Sequence, residues 1–146
     1  MKVPLPKVEV VIEVPRGGFI KRSSHGRLEF VSPLPCPYNY GSVPAYRGGD
    51  GDLLDAIVLG PRLERGRRVT VTAYGAVGFT DNGIYDDKLI CSQRAVPPRA
   101  RRRVVAFLHF YAFCKRLFHR SRGHSECTAC LGWGDARQAI ERAHPR

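Results

Sequence analysis

Acidic residues are scarce in this chain. Its 146 residues hold 13 Asp and Glu against 24 Lys and Arg, a formal net charge of +11. An excess of positive charge invites a nucleic-acid reading, because phosphate is drawn to basic surface. The aromatic–basic interleaving of single-strand binders is missing, however, and arginine is scattered through "PRLERGRR", "RARRR" and "HRSRG". A solvated basic surface is the expectation, with nucleic acid a disfavoured partner. Long apolar runs are missing too. The stretch "VVAFLHFYAFC" is too short to cross a bilayer and contains His109, which argues against a membrane role. No secretory leader is legible, since Pro4, Pro6 and Lys7 interrupt "MKVPLPKVEVVIEV" and acids follow at once. Five cysteines, an odd number without an export signal, read as reduced thiols rather than a disulfide framework. Neither an internal repeat nor a low-complexity tract is visible. What remains is a single globular domain over 1–146, long enough for a hydrophobic core and expected in the cytoplasm.

The patterning divides the chain in two. Val8, Val10, Ile12 and Val14 alternate with Glu9, Val11 and Glu13, a strand period, and "VTVTAY" alternates again. "DAIVLG", "GAVGF" and "KLICS" read as further short strands, while "PYNYGSVP" reads as a loop by composition. The first ninety residues thus predict a strongly curved antiparallel sheet or small barrel. From Val104 the apolar positions Phe107, Leu108, Tyr111, Cys114 and Phe118 follow a helical face. Val105 and Phe113 on the opposite side predict a well-buried helix, with His109 a core residue rather than a ligand. Trp133 reads as a packing residue. A second helix is predicted after Asp135, a cap with Gln138 three residues on, lined by Ala136, Ala139, Ile140 and Ala143. Strands followed by helices define an α+β domain.

The few acids are also unevenly placed. Six of the 13 fall in two short windows, Asp50, Asp52 and Asp55 in "DGDLLD" and Asp81, Asp86 and Asp87 in "TDNGIYDDK". Crowded carboxylates raise one another's pKa, so either they splay into water or they hold a cation. Two such loops at strand ends can converge although about thirty residues separate them, offering the all-oxygen environment that hard divalent ions such as Mg²⁺ take. A calcium loop fits poorly, because "AIVLG" follows "DGDLLD" without the Glu an EF-hand needs at its twelfth position. Lys21, Lys88, Tyr40 and Tyr111 stand beside the acids as phosphate-binding candidates. Carboxylate-held metal with Lys and Tyr donors is equipment for phosphoryl transfer.

In order, "VVIEVPRGGFIKR", "PYNYGSVP", "DGDLLD", "TDNGIYDDKL" and "GWGDARQAI" resemble the family I soluble inorganic pyrophosphatases, from about Val8 to Glu141. The resemblance implies an OB-like, five-stranded barrel with flanking C-terminal helices, usually assembled as a homo-oligomer. It implies Mg²⁺-dependent hydrolysis of pyrophosphate, with Mn²⁺ or another divalent ion as a substitute. By the same resemblance Asp50, Asp55 and Asp86 are ligands of two metals bridged by Asp55, and Asp52 is the base. Asp81 and Glu13 match ligands for further metals, while Lys21, Lys88, Tyr40 and Tyr111 match groups that grip phosphate. The crowded aspartates would then tolerate each other because metal sits among them.

Several positions depart from the family pattern. Ser23 stands where it has glutamate, and the stretch between Leu28 and Asn39 is shorter and lacks its phosphate-binding arginine. Cys36 replaces a tyrosine, Ala112 a lysine, and Leu53 a proline. Hydrogen bonds to charged groups contribute roughly 1.5–3 kcal/mol each, so two lost cations lower the rate by about 10²–10⁴. A weakened enzyme is implied, with Arg22, Arg47 and Lys115 as alternative sources of charge. The other reading is a non-catalytic paralogue that binds phosphate or nucleic acid through its basic surface. His124, Cys127 and Cys130 also have ligand-like spacing for a structural Zn²⁺, but one C-x-x-C without a second pair is a weak signal, and free thiols are expected.

Overall fold

The computed structural model describes residues 4–19, 21–24, 27–31, 35–47, 53–81, 84–121 and 128–145, with side chains described except at 21–24, 27–31, 81, 84–85, 118–121, 128–129 and 144–145. Strand β1 (Lys7–Val14) alternates as its sequence requires, burying Val8, Val10 and Ile12 and exposing Lys7, Glu9 and Glu13. It pairs with β4 (Asn39–Arg47) on one side and β6 (Arg68–Asp81) on the other. β4 pairs with β5 (Leu53–Val58), β5 with β8 (Lys88–Ser92), and β8 with β6, which closes a five-stranded barrel. Every pair is antiparallel except β5 and β8, which run parallel with Asp55 opposite Lys88. The expected antiparallel barrel is therefore a mixed one. A closed ring with an odd number of strands cannot alternate direction all the way round, so one pair of neighbours must run the same way.

Smaller pieces decorate the ring. β2 (Lys21–Ser24) and β3 (Arg27–Val31) form a separate hairpin, and β7 (Ile84–Tyr85) turns back on the end of β6. β9 (Thr128–Gly134) extends β6, and β10 (His144–Pro145) joins the end of β4.

β4 corrects the reading of "PYNYGSVP" as loop. Its turn-forming residues are placed by strand contacts that override local preference. A Cβ on Gly41 would stand 2.2 Å from the carbonyl oxygen of Val11, so only glycine lets β1 and β4 approach. Pro44 lies where the β4–β5 register shifts between Val43 and Arg47, a break that spares a missing N–H.

Strand alternation sorts the apolar residues into two cores. Val10, Ile12, Val43, Leu54, Ala56, Val71, Leu89 and Cys91 form one, to which helix α2 (Ala136–Arg142) adds Ala136 and Ala139 and its C-cap adds Ala143. Asp135 caps α2 as expected, its carboxylate accepting from the N–H groups of Arg137 and Gln138. Residues of opposite parity, including Tyr40, Ile57, Val77, Phe79 and Ile90, form the second core beneath helix α1 (Pro98–Ser121). Trp133 joins this core and closes over Gly75, where a Cβ would meet its ring at 2.2 Å.

α1 starts at Pro98, six residues before its apolar stripe, because its opening turns are arginine-rich. It buries Val104, Leu108, Tyr111 and Ala112. The outer face, expected to be covered, is not: Phe110, Phe113 and Leu117 are 42%, 49% and 48% exposed. His109 is exposed as well, which corrects its assignment to the core. A helix apolar on both sides reads as buried from sequence, although only one side meets the barrel.

Candidate active site

The parallel seam of the barrel places the key side chains. Asp55 and Ile57 on β5 face the same way as their opposite numbers Lys88 and Ile90 on β8, toward the core under α1. Tyr40 is opposite Ile57 on β4 and shares this face. Its position is fixed by its neighbour Asn39, which is fully buried and anchored on both ends of its amide. Asn39 Oδ1 accepts from the N–H groups of Arg16 and Leu63 at 3.0 and 2.9 Å, and Nδ2 donates to the carbonyls of Val58 and Pro61 at 3.2 and 2.9 Å. A buried amide satisfied this way is a rigid pivot for the strand that follows.

Lys88 is the hub, with its side chain 1% exposed. Its Nζ donates to the Tyr40 hydroxyl at 3.0 Å, to Asp55 Oδ2 at 3.0 Å and to Asp86 Oδ2 at 3.4 Å. The same ammonium lies 4.9 Å from the centre of the Phe79 ring, 5.6 Å from Tyr40 and 5.9 Å from Tyr111. Buried lysine is stable only when paired, and here two carboxylates, a phenol and three aromatic faces surround it. Two carboxylates converging on one cation form an oxygen donor set of the kind a hard divalent ion takes, so the residues fit such an ion.

The structure thus brings together Asp55, Asp86, Lys88, Tyr40 and Tyr111. Glu13 is exposed on β1, next to the Gly41–Tyr40 step of β4. Asp81 ends β6 and Lys21 starts β2, but their side chains lie outside the described residues, as do Asp50 and Asp52 altogether. His124 and Cys127 also fall outside them. Among the described residues no cluster of three or more His, Cys, Asp or Glu occurs, so the zinc option gains no support from Cys130. Cys130 is half-buried opposite Phe79 on β9, and burial raises its thiol pKa. The described cysteines Cys36, Cys91, Cys114 and Cys130 are free thiols.

Two contributors, Phe79 and Arg142, went unread in the sequence, and two more, Asp87 and Lys115, were named there without the places the structure gives them. Phe79 supplies the aromatic face nearest the ammonium. Asp87 turns away from its neighbours and accepts from Arg142 of α2, at 2.9 Å from Nε and 2.8 Å from the terminal nitrogen. Lys115 is 5% exposed, one helical turn beyond Tyr111 on the buried stripe. Asp87 carried a signal in the "DD" pair; Arg142 carried none.

Fold and site together define an α+β protein whose closed mixed barrel bears a buried carboxylate–lysine centre on its outer wall, beneath a long helix. The family model described as inorganic pyrophosphatase matches residues 10–145, and the chain belongs to that family, one of hydrolases. It is similar to an inorganic pyrophosphatase of Mesorhizobium japonicum, 34% identical over 104 residues that cover 61% of this chain and 55% of that protein. An inorganic pyrophosphatase of Neisseria meningitidis is 27% identical across 90% of this chain and 82% of its own length. The crystal structure of inorganic pyrophosphatase from Thermus thermophilus superposes with a TM-score of 0.68 at 25% identity, covering 97% of this chain and 92% of that one. No helix among the described residues is long and apolar enough to cross a membrane.

Proposed function

We propose that this chain hydrolyses inorganic pyrophosphate to two phosphates with the help of Mg²⁺. One observation carries the reading: Tyr40, Asp55, Asp86 and Lys88, drawn from three strands and the link before β8, meet at one buried point in a chain of this family. Asp50, Asp55 and Asp86 would hold the tightly bound ions, and Asp81 and Glu13 would take further ions. Mn²⁺ suits the same oxygen donors. A bound divalent ion supplies Lewis acidity and neutralises phosphate charge. Asp52 accepts a proton from the attacking water as its oxygen bonds to one phosphorus. The bridging P–O bond breaks, and its electron pair leaves with the second phosphate. Lys21, Lys88, Tyr40 and Tyr111 donate to phosphate oxygens and stabilise the charge that grows on the leaving group.

The test is phosphate release from pyrophosphate with Mg²⁺ by the parent chain and by Asp52→Asn. Losing a general base costs typically 10²–10⁴-fold, so the variant should fall at least about a hundredfold. If the parent releases no more phosphate than the variant with Mg²⁺, Mn²⁺ or Zn²⁺, the reading is wrong.

A second reading rests on a different feature. Arg99, Arg101, Arg102 and Arg103 are exposed on the opening turns of α1, whose first turn has no acid. Positive charge at the positive end of a helix is unfavourable unless an anion answers it. A weakened paralogue that binds phosphate groups of a nucleic acid through this surface is the alternative. It requires an affinity that drops steeply with salt, and a flat salt dependence excludes it. In either case the protein is placed in the cytoplasm, in keeping with its free thiols, as a homo-oligomer, in keeping with the exposed apolar stripe on α1.

A further inference from the structure

Between β7 and β8 only two residues intervene, Asp86 and Asp87. Asp86 and Lys88 both turn toward the core under α1, where their side chains meet. Asp87, at the intervening position, points the other way and is met by Arg142. The conformation of this short link decides where both active-site side chains stand, since each sits next to Asp87 in the chain.

The link is pinned at three places. The Asp86 N–H donates to the carbonyl of Phe79 at 2.8 Å, and the Phe79 N–H donates to Asp87 Oδ1 at 3.4 Å. The third pin is Arg142, whose Nε and terminal nitrogen both reach Asp87 Oδ2. Its partner's side chain is 3% exposed and its own 40%, so the arginine brings a cation from the surface to a buried carboxylate. Two donors of one planar guanidinium converge on Oδ2 while the Phe79 N–H meets Oδ1, so both carboxylate oxygens are held, and a lysine ammonium does not reproduce the planar fork. Phe79 closes the arrangement, since its backbone holds the link and its ring lies 4.9 Å from Lys88 Nζ.

We propose that Asp87 and Arg142 are positioning residues for the reaction: their ion pair sets the carboxylate of Asp86 for metal and the ammonium of Lys88 for phosphate. The inference rests on the pyrophosphatase reading for its chemistry, but its geometry is independent of it. Helix α2, which packs on the other core, thereby becomes part of the catalytic apparatus. Losing Arg142 leaves a buried charge that the link can relieve only by rotating, and Asp86 and Lys88 rotate with it.

Calorimetric titration of Mn²⁺ without pyrophosphate tests this, alongside steady-state hydrolysis with Mg²⁺. Arg142→Ala should bind Mn²⁺ about tenfold more weakly and lose about tenfold in kcat, with KM for pyrophosphate within about twofold of the parent. Arg142→Lys should recover part of the Mn²⁺ affinity, because charge returns without the planar pair of donors. Asp87→Ala combined with Arg142→Ala should cost no more than the worse single change. That double variant leaves no buried charge, so it keeps the test decisive if Arg142→Ala does not fold. A folded Arg142→Ala with parental Mn²⁺ affinity overturns the proposal, as does a lowered melting temperature with that affinity unchanged, or additive losses in the double variant. If the parent binds Mn²⁺ but hydrolyses no pyrophosphate, the pyrophosphatase reading falls and calorimetry alone decides the role of the pair. A parent that binds no Mn²⁺ overturns both.

Discussion

Cys36 and Cys91 are buried thiols in different cores, one beside Tyr40 under α1 and the other in the barrel. Burial pushes Cys36 up to about 11 and Cys91 up to about 12, from an ordinary 9.0. Neither is a nucleophile near neutral pH. Unfolding returns both to the ordinary value, so above pH 9 the unfolded chain releases protons that the folded chain retains. Their contribution to stability is complete below about pH 9 and is lost as pH rises toward 11–12. Each thiol gives a slope of about 1.4 kcal/mol per pH unit in that window. Denaturant unfolding at pH 8 and pH 10 should therefore differ by about 1–3 kcal/mol, and Cys91→Ala should shrink the difference. A variant with the parent's full difference would show that other groups govern alkaline unfolding. At this scale the sequence was informative where one residue type has few uses: the acids Asp55 and Asp86, Lys88 and both tyrosines were legible as one set, and the fold brings them together. Arg142 was not, because 55 residues separate it from Asp87 and nothing in the spelling of a helix end names its partner.

α1 is the element with two characters. Its inner stripe runs Val104, Leu108, Tyr111 and then Lys115, so among the described side chains a charged residue occupies the last buried position. A lysine carried into a buried stripe one turn from Tyr111 is the candidate source of the charge that Ala112 does not provide. Lys115→Met keeps much of the side chain's length and removes its charge. It should lower kcat/KM for pyrophosphate about tenfold to a hundredfold, the worth of one hydrogen bond to a charged group. Parental kinetics in the variant would dismiss Lys115 from substrate binding. Elements were legible where local pattern and tertiary contacts agree, as in the alternation of β1 and the Asp135 cap of α2. They were missed where contacts win: β4 hides behind Asn39, Gly41 and Pro44, residues whose usual place is a turn.

Across the whole molecule, the exposed Phe110, Phe113 and Leu117 form one apolar strip on a chain of net charge +11. Burial against a second copy would remove these side chains from water at roughly 25 cal/mol per Å² of apolar surface. Sedimentation should show an oligomer for the parent chain and a smaller species for Phe113→Glu, which sets carboxylates inside the contact. A monomeric parent would assign the strip another purpose. Strand pairing was the least legible property at this scale, since period-two patterning names strands without naming their neighbours. The odd ring count has a consequence for how the protein comes into being. Parallel neighbours cannot be joined by a hairpin, so Asp55 and Lys88 reach each other only after β6 and β7 have run out and returned. A nascent or clipped fragment that stops short of β8 keeps Tyr40 and Asp55 but lacks Lys88, the cation on which they converge, and the β5–β8 contact waits on a long-range pairing, a slow kind of contact to form.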